Sequence, residues 1–130
     1  PGVQKKAVSL SSRQDFQQIL ELFPGADVVC FFIPLYVDAL PSHVVEFLIQ
    51  AERYCKSHSC RFRLYALFNN GFVEGKQNRP ALHMLQAWCE RAGITWSGGV
   101  GIGGGVMLRA LAVLYPILIV IILLQMALSF

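Results

Sequence analysis

Two short segments carry the side chains best suited to holding a flat, polar ligand. In residues 34–37, Tyr36 offers an aromatic face, and Pro34 stiffens the backbone that leads to it. Residues 69–72 place two asparagine amides, which donate and accept hydrogen bonds, beside a glycine and a phenylalanine. Each segment alone is typical of an ordinary surface loop or Asn-Gly turn. Together they favour a site for a planar ligand, with eight candidate residues: Pro34, Leu35, Tyr36, Val37, Asn69, Asn70, Gly71 and Phe72.

Side chains for acid, nucleophilic or metal chemistry form no comparable pattern. The three histidines fall within or beside predicted helices, no Gly-x-Ser-x-Gly segment occurs, and Asp38 and Glu74 each lack a second carboxylate to pair with. The four cysteines show no Cys-x-x-Cys spacing and no paired zinc pattern, so we expect buried free thiols of a cytosolic protein. They are Cys30, Cys55, Cys60 and Cys89. We predict no catalytic side chain and no metal site.

A glycine-rich run, residues 98–105, contains a Gly-x-Gly-x-x-Gly match at Gly99, Gly101 and Gly104. A dinucleotide-binding turn of that form needs a following helix, a second strand and an acidic residue about 20 positions later. No acidic residue follows Glu90. We therefore reject this interpretation and expect the run to be a loop, whose glycines form tight turns or let the backbone approach a ligand.

The hydrophobic pattern around these segments predicts the elements that must position them. Strands and helices alternate, with strands at residues 5–10, 28–33, 62–68 and from 94 onward. Residues 28–33 are apolar at every position, which is typical of a strand covered on both faces. Such alternation predicts a parallel sheet with right-handed crossovers and helices on both faces. Ligands bind at the carboxyl ends of such strands, which here are the loops at 34–41, 69–78 and 98–105.

The composition excludes several classes of protein. The chain has 130 residues, enough for one domain, and only 15% of them are charged, whereas soluble domains carry about 25%. With 55% hydrophobic residues, intrinsic disorder, a charged coiled coil and a basic nucleic-acid-binding tail are excluded. The net charge of +3 is too small to indicate a polyanionic partner, so we expect no nucleic acid.

The excess of apolar residues lies in residues 110–130, which carry no charge. As a helix these 21 residues would reach roughly 32 Å, and the hydrocarbon core of a bilayer is about 30 Å thick. One interpretation is a membrane anchor, which would leave the preceding domain on the cytoplasmic side because Arg91 and Arg109 precede it. The other is a buried helix or strand that covers the core, since β-branched residues such as Ile119 and Ile121 also suit a strand.

Three segments together resemble the flavodoxin-like NAD(P)H-dependent oxidoreductases, the group of FMN and quinone reductases. They are Asp-Val-Val-Cys-Phe-Phe-Ile-Pro-Leu-Tyr-Val-Asp from residue 27, Ala-Leu-Phe-Asn-Asn-Gly-Phe-Val-Glu-Gly-Lys-Gln-Asn from residue 66, and Trp-Ser-Gly-Gly-Val-Gly-Ile-Gly-Gly-Gly from residue 96. The resemblance covers roughly residues 5–109 and implies a flavodoxin-like α/β domain with a three-layer parallel sheet. It also implies that FMN binds non-covalently at the strand ends, where residues 34–37 and 69–72 would flank its isoalloxazine ring.

The resemblance implies an FMN-dependent oxidoreductase that takes a hydride from NAD(P)H and passes electrons to a quinone, a flavin or a protein acceptor. Its partners would be flavin, nicotinamide and, in a homodimer, a second copy of the chain. Residues 5–10 match the family's second strand, so the domain at residues 1–109 is expected to be incomplete at its N-terminus, without the first strand and phosphate-binding loop. The alternative function is a degenerate, non-catalytic interaction module that residues 110–130 tether to a membrane.

Overall fold

Three parallel strands form the centre of the structure, a computed structural model that describes residues 2–35, 39–71, 74–104, 114–117 and 120. The strands are β1 (Val28–Pro34), β2 (Arg63–Asn69) and β3 (Thr95–Ile102), and they lie side by side in that order. Both strand pairs are parallel. The predicted α/β class and parallel sheet are therefore confirmed, and three of the four predicted strands are present.

Three helices connect and flank the strands: α1 (Gln14–Leu20), α2 (Ser42–His58) and α3 (Arg79–Ala92). Short 3-10 turns, Phe23–Gly25 and Gly75–Asn78, precede β1 and α3. The predicted inward stripe of α2 is buried and consists of Val44, Leu48, Ala51 and Cys55. α3 is followed by Gly93, whose φ of 72° is the left-handed conformation that the sequence predicts for a glycine at this position. Local periodicity thus predicted both helices correctly, and the glycine predicted the end of α3.

The helices pack on one face of the sheet, and the core lies between them and the strands. The ring centroid of Phe31 in β1 lies 6.4 Å from that of Phe47 in α2 and 6.5 Å from that of Trp88 in α3. The indole nitrogen of Trp88 donates a hydrogen bond of 2.8 Å to the carbonyl oxygen of Leu48, which ties α3 to α2. Phe16 of α1 completes this layer through an edge-to-face contact with Phe47.

The opposite face of the sheet is uncovered by the described residues, and we call it the open face. Its side chains are mostly apolar: Val28, Cys30, Phe32, Tyr65, Leu67, Val100 and Ile102. Phe32 is 72% exposed. The strands lie side by side in the order in which they occur in the sequence. Right-handed crossovers between strands in this order place the connecting helices on the same face of the sheet. Among the described residues, β1 is therefore covered on one face, and the predicted third layer is not present there.

Residues 5–10 do not form the predicted first strand. Residues 2–10 pair with none of the three strands, and most of their side chains are exposed. Leu10 is the residue of this stretch that packs against the core. A strand needs a neighbour to satisfy its backbone amides and carbonyls. The local pattern of residues 5–10 favoured extended backbone, but within the described ranges no strand lies beside it.

The glycine-rich run is a strand rather than a loop over its first five residues, 98–102. β3 continues through Gly99 and Gly101 in parallel pairing with β2. At both positions the absent side chain makes room for packing, because a Cβ on Gly99 would collide with the side chain of Leu82 and one on Gly101 with that of Asn78. The prediction of a loop is wrong here because these glycines serve the contact between the strand and the elements packed on it.

Of the predicted C-terminal segment, residues 110–130, the structure describes residues 114–117 and 120. Residues 114–117 are helical and exposed. Otherwise the expectation for 110–130, whether a membrane anchor or a covering element, lies outside the described residues. Within the described ranges, no helix has both the length and the apolar character that crossing a membrane requires.

Candidate functional site

The carboxyl ends of β1 and β2 bring the two candidate segments together. Pro34, the last residue of β1, is paired with Asn69, the last residue of β2. The contact continues beyond the strands, since the backbone nitrogen of Leu35 donates a hydrogen bond of 2.7 Å to the carbonyl oxygen of Asn69. The structure therefore places residues 34–35 beside residues 69–71, as the sequence predicts for adjacent strand ends.

The described candidate residues fall into two groups by their exposure. Pro34, Asn69 and Gly71 are exposed at the edge of the sheet, where a ligand can contact them. Leu35 and Asn70 are buried, and Leu35 belongs to the hydrophobic core. Leu35 and Asn70 therefore stabilise the strand ends from the buried side of the edge. The other three candidates, Tyr36, Val37 and Phe72, lie outside the described residues.

Asn70 shapes the turn that follows β2. Its backbone nitrogen donates a hydrogen bond of 3.0 Å to the carbonyl oxygen of Ile102, so the turn is tied to the end of β3. Its side-chain nitrogen, Nδ2, donates to the carbonyl oxygen of Glu74 at 3.4 Å. Its side-chain oxygen, Oδ1, is buried and has no hydrogen-bond partner among the described residues. Asn70 thereby links the two ends of the loop in which Gly71 lies.

Asn78 supports the same edge, although sequence reasoning did not include it in the site. Asn78 is fully buried, and its Nδ2 atom donates to the carbonyl oxygens of Gly75 at 3.0 Å and Ile102 at 3.3 Å. The sequence predicted only that Asn78 opens α3. It does occupy the N-cap position, but its side chain makes no capping hydrogen bond. Asn78 packs against position 101 so closely that this position needs a glycine. That glycine is the feature of the sequence that could have indicated the contact.

The buried thiols lie away from this edge and are unsuited to nucleophilic chemistry. Cys55 and Cys89 are in the last turns of α2 and α3, near the amino ends of the strands that follow. Burial raises the pKa of each thiol to about 12. A thiol with so high a pKa stays protonated at neutral pH and is a poor nucleophile. Among the side chains that the structure describes, no group of His, Cys, Asp and Glu could hold a metal ion.

The exposed part of the edge carries groups that can contact a flat, polar ligand. Gly71 carries no side chain that would block the approach of a flat ligand, and Pro34 offers apolar surface beside it. The exposed amide of Asn69 can both donate and accept a hydrogen bond at the polar edge of such a ring.

Comparison of the chain with protein-family models, curated proteins and solved structures finds no significant match. The functional interpretation therefore depends on the residues and geometry described above.

Proposed function

We propose that this chain is a flavodoxin-like, FMN-dependent NAD(P)H oxidoreductase. The observation that carries the proposal is the pairing of Pro34 with Asn69, which brings the two loop motifs of the family resemblance to one edge of the sheet. Ligands of open α/β sheets bind outside the carboxyl ends of the strands. A parallel sheet of three strands in sequential order is also compatible with part of a flavodoxin-like fold.

In this proposal the residues at the strand ends bind and orient the ring. Pro34 supplies apolar contact, the amide of Asn69 supplies hydrogen bonds, and Gly71 leaves space for the ring. Leu35 and Asn70 hold these residues in place through their backbone hydrogen bonds to Asn69 and β3. Three further ring contacts are predicted from the sequence alone: Tyr36, Val37 and Phe72.

When bound, FMN supplies the redox chemistry by accepting a hydride from NAD(P)H and passing electrons to a quinone, flavin or protein acceptor. The chain's own residues position the ring, and we assign none of them as acid, base or nucleophile. A cytoplasmic location is part of the proposal. It is supported by the free thiols of all four cysteines, a state that a reducing compartment maintains. Three of them, Cys55, Cys60 and Cys89, are buried as predicted, whereas Cys30 is exposed.

Flavin titration of the full chain tests the proposal. The fluorescence of FMN and of riboflavin is measured in parallel as protein is added, because no described residue holds the phosphate. We expect both flavins to be quenched with dissociation constants that agree within a few-fold, and bound FMN to be bleached by NADH or NADPH. A dissociation constant of about 1 mM corresponds to a binding free energy of about 4 kcal/mol. If neither flavin binds at that protein concentration, the proposal is wrong and the non-catalytic module is favoured.

A pair of variants separates binding at the strand ends from binding elsewhere. Asn69→Leu removes an exposed amide at the proposed site, and Gln50→Leu removes one from the exposed surface of α2. The loss of one hydrogen bond should weaken both flavins by roughly 3- to 10-fold in Asn69→Leu. Gln50→Leu should leave the affinities unchanged. Equal affinities in the two variants would show that any bound flavin lies away from this edge.

A further inference from the structure

Cys55 and Cys60 lie in one helix-ending motif at the amino edge of the sheet, away from the proposed flavin site. Ser59 ends α2 with a φ of 49°, and this left-handed backbone turns the chain back onto the helix. The backbone nitrogens of Ser59 and Cys60 both donate to the carbonyl oxygen of Cys55, that of Cys60 at 3.1 Å. In a helix end of this form, the side chains at the positions of Cys55 and Cys60 commonly contact each other.

α3 ends in the same motif, but with a different pair of side chains. Gly93 takes the left-handed conformation, and the backbone nitrogen of Ile94 donates to the carbonyl oxygen of Cys89 at 2.9 Å. That motif therefore pairs a thiol with an aliphatic side chain. At the end of α2 the corresponding pair is two thiols, and the left-handed residue is Ser59, although such backbone is unfavourable for a residue with a Cβ. Only the end of α2 thus carries a pair that oxidation can join.

The hydrogen bond between Cys55 and Cys60 keeps their Cα atoms within reach of a disulfide. Standard bond lengths and the N–O distance of 3.1 Å limit the separation of the two Cα atoms to at most about 7 Å. Disulfides join residues whose Cα atoms are about 4.4–6.8 Å apart. The thiols are also neighbours, since burial and, after it, the adjacent thiol of Cys60 raise the pKa of the Cys55 thiol to about 12. Little movement of the backbone is therefore needed to join the two sulfur atoms.

A small cavity gives reagents access to the pair. It has a volume of about 330 Å³, and both Cys55 and Cys60 contribute to its lining. Cys60 is 5% exposed and Cys55 is 1% exposed, so a molecule that enters from solvent meets Cys60 first. A water molecule takes up about 30 Å³ of the liquid, and hydrogen peroxide is only slightly larger. The cavity therefore admits a peroxide.

We propose that Cys55 and Cys60 are an oxidisable dithiol, which a peroxide converts to an intrachain disulfide. The sulfur of Cys60 attacks one oxygen of hydrogen peroxide, the O–O bond breaks, and the departing hydroxide leaves as water with the proton of that thiol. The sulfur of Cys55 then attacks the sulfur of the resulting sulfenic acid, the S–O bond breaks, and a second water leaves with the Cys55 proton. Two thiols are oxidised to one disulfide, and one peroxide is reduced to two water molecules.

The second step does not require Cys55 to react with molecules in solution. Its raised pKa leaves little thiolate at neutral pH, so it is slow towards external reagents. Cys60 is held beside it by the fold, and positioning within one molecule can be equivalent to a concentration of about 10⁵ M or more. This advantage offsets the small fraction of thiolate at Cys55.

The disulfide fastens the end of α2 to the chain that enters β2. In a reducing compartment such a bond is transient and typical of redox sensing, because cellular thiols reduce it again. The pair therefore gives the domain a reversible, redox-sensitive link at the edge of the sheet opposite the proposed flavin site.

Peptide mass spectrometry of the full chain tests the proposal. The reduced protein is treated with excess hydrogen peroxide in native buffer, the remaining thiols are alkylated in denaturant, and the chain is digested with trypsin. Trypsin cleaves after Arg53, Lys56 and Arg61, so the two cysteines fall in separate peptides, residues 54–56 and 57–61. We expect most chains to yield these two peptides joined by a disulfide, which dithiothreitol separates.

The other two cysteines report on the specificity of the reaction. Cys30 is exposed, so its oxidation shows that the peroxide was active. If Cys30 is oxidised while Cys55 and Cys60 are recovered as alkylated thiols, the proposal is wrong. A disulfide from either of them to Cys89, in a yield equal to that of the Cys55–Cys60 disulfide or higher, would overturn it as well.

Cys60→Ser and Cys89→Ser are matched variants, since each removes one buried thiol. In Cys89→Ser the yield of the Cys55–Cys60 disulfide should stay within a factor of two of the wild type. In Cys60→Ser no intrachain disulfide should form. Loss of the disulfide in Cys89→Ser, or an intrachain disulfide in Cys60→Ser at the wild-type yield, would show that the motif at the end of α2 does not select the pair.

Thermal unfolding provides an independent measurement of whether the disulfide suits the native geometry. Because the cross-link restricts the unfolded chain, we expect peroxide to raise the Tm of the wild type by roughly 4–10 °C relative to its effect on Cys60→Ser. A wild-type Tm that does not rise relative to this control would contradict the proposal, since it would mean that the bond distorts the end of α2.

Discussion

Gly101 and Asn78 pack so closely that a Cβ atom on Gly101 would lie 2.5 Å from Cβ and 2.8 Å from Nδ2 of Asn78. The Nδ2 atom also donates to the carbonyl oxygens of Gly75 and Ile102. This contact joins the carboxyl end of β3 to the turn that precedes α3. It therefore supports the edge of the sheet at which the candidate flavin site lies, and it explains why a glycine occupies position 101.

Replacing Gly101 with alanine should lower the free energy of unfolding by about 1–3 kcal/mol, because the added Cβ forces buried Asn78 or β3 to move. Urea denaturation followed by circular dichroism measures the loss. Gly25→Ala is the control, since a Cβ on Gly25 meets nothing within 4 Å. Equal losses in the two variants would show that the contact with Asn78 does not constrain position 101.

Asn78→Ala should also lower the free energy of unfolding, by about 1–3 kcal/mol, because the carbonyl oxygen of Gly75 loses a hydrogen bond and that of Ile102 keeps only the one from the backbone nitrogen of Asn70 among the described residues. The same denaturation experiment measures the change. Asn69→Ala removes a side chain of the same type from an exposed position and should cost less than about 1 kcal/mol. A cost at Asn78 no larger than that at Asn69 would contradict the proposed role of its amide.

Tyr36→Ala should weaken flavin binding by removing an aromatic face from the loop after β1. The loss of an aromatic contact worth about 0.5–1.5 kcal/mol corresponds to roughly a 2- to 13-fold higher dissociation constant. Tyr36→Phe keeps the ring and should restore the affinity to within about twofold of the wild type. The titration used for the proposed function measures both variants. An unchanged dissociation constant in Tyr36→Ala would remove this residue from the site.

Gly71→Val should damage flavin binding more than folding. Gly71 is exposed at the strand ends, so a branched side chain there projects into the space proposed for the ring. We expect the dissociation constant of FMN to rise by at least about tenfold, equivalent to about 1.4 kcal/mol. The midpoint of urea denaturation should stay near that of the wild type. Gly25→Val, which lies away from the site, is the control. If the Gly71→Val chain unfolds or binds FMN normally, this loop has only a structural role.

The buried thiol of Cys89 predicts a loss of stability at alkaline pH. Burial raises the pKa of this thiol from 9.0 to about 12, so the folded state holds the proton more tightly than the unfolded chain does. The resulting stabilisation is complete below pH 9.0 and is lost as the pH rises from there towards about 12. The free energy of unfolding, measured across this range, should therefore fall less steeply in Cys89→Ala than in the wild type. Parallel curves for the two proteins would contradict this role for Cys89.

Sequence alone was sufficient to predict most of the elements and the meeting of the two candidate segments. The strand at 28–33, the buried stripe of α2 and the glycine that follows α3 were all predicted correctly. Each of these features depends on residues within a few positions of one another. The meeting of Pro34 and Asn69 also followed, because alternating strands and helices place neighbouring strand ends at one edge.

Tertiary structure decided which surfaces and side chains face one another. The apolar run of β1 is compatible with burial on one face or on both, and the strand order with its crossovers places α2 and α3 on the same face. The same holds for the glycine-rich run: it is a strand because it pairs with β2, and it needs glycines because Leu82 and Asn78, on other elements, occupy the space beside it. These outcomes depend on contacts between residues far apart in the chain, and the local pattern of residue types does not encode such contacts.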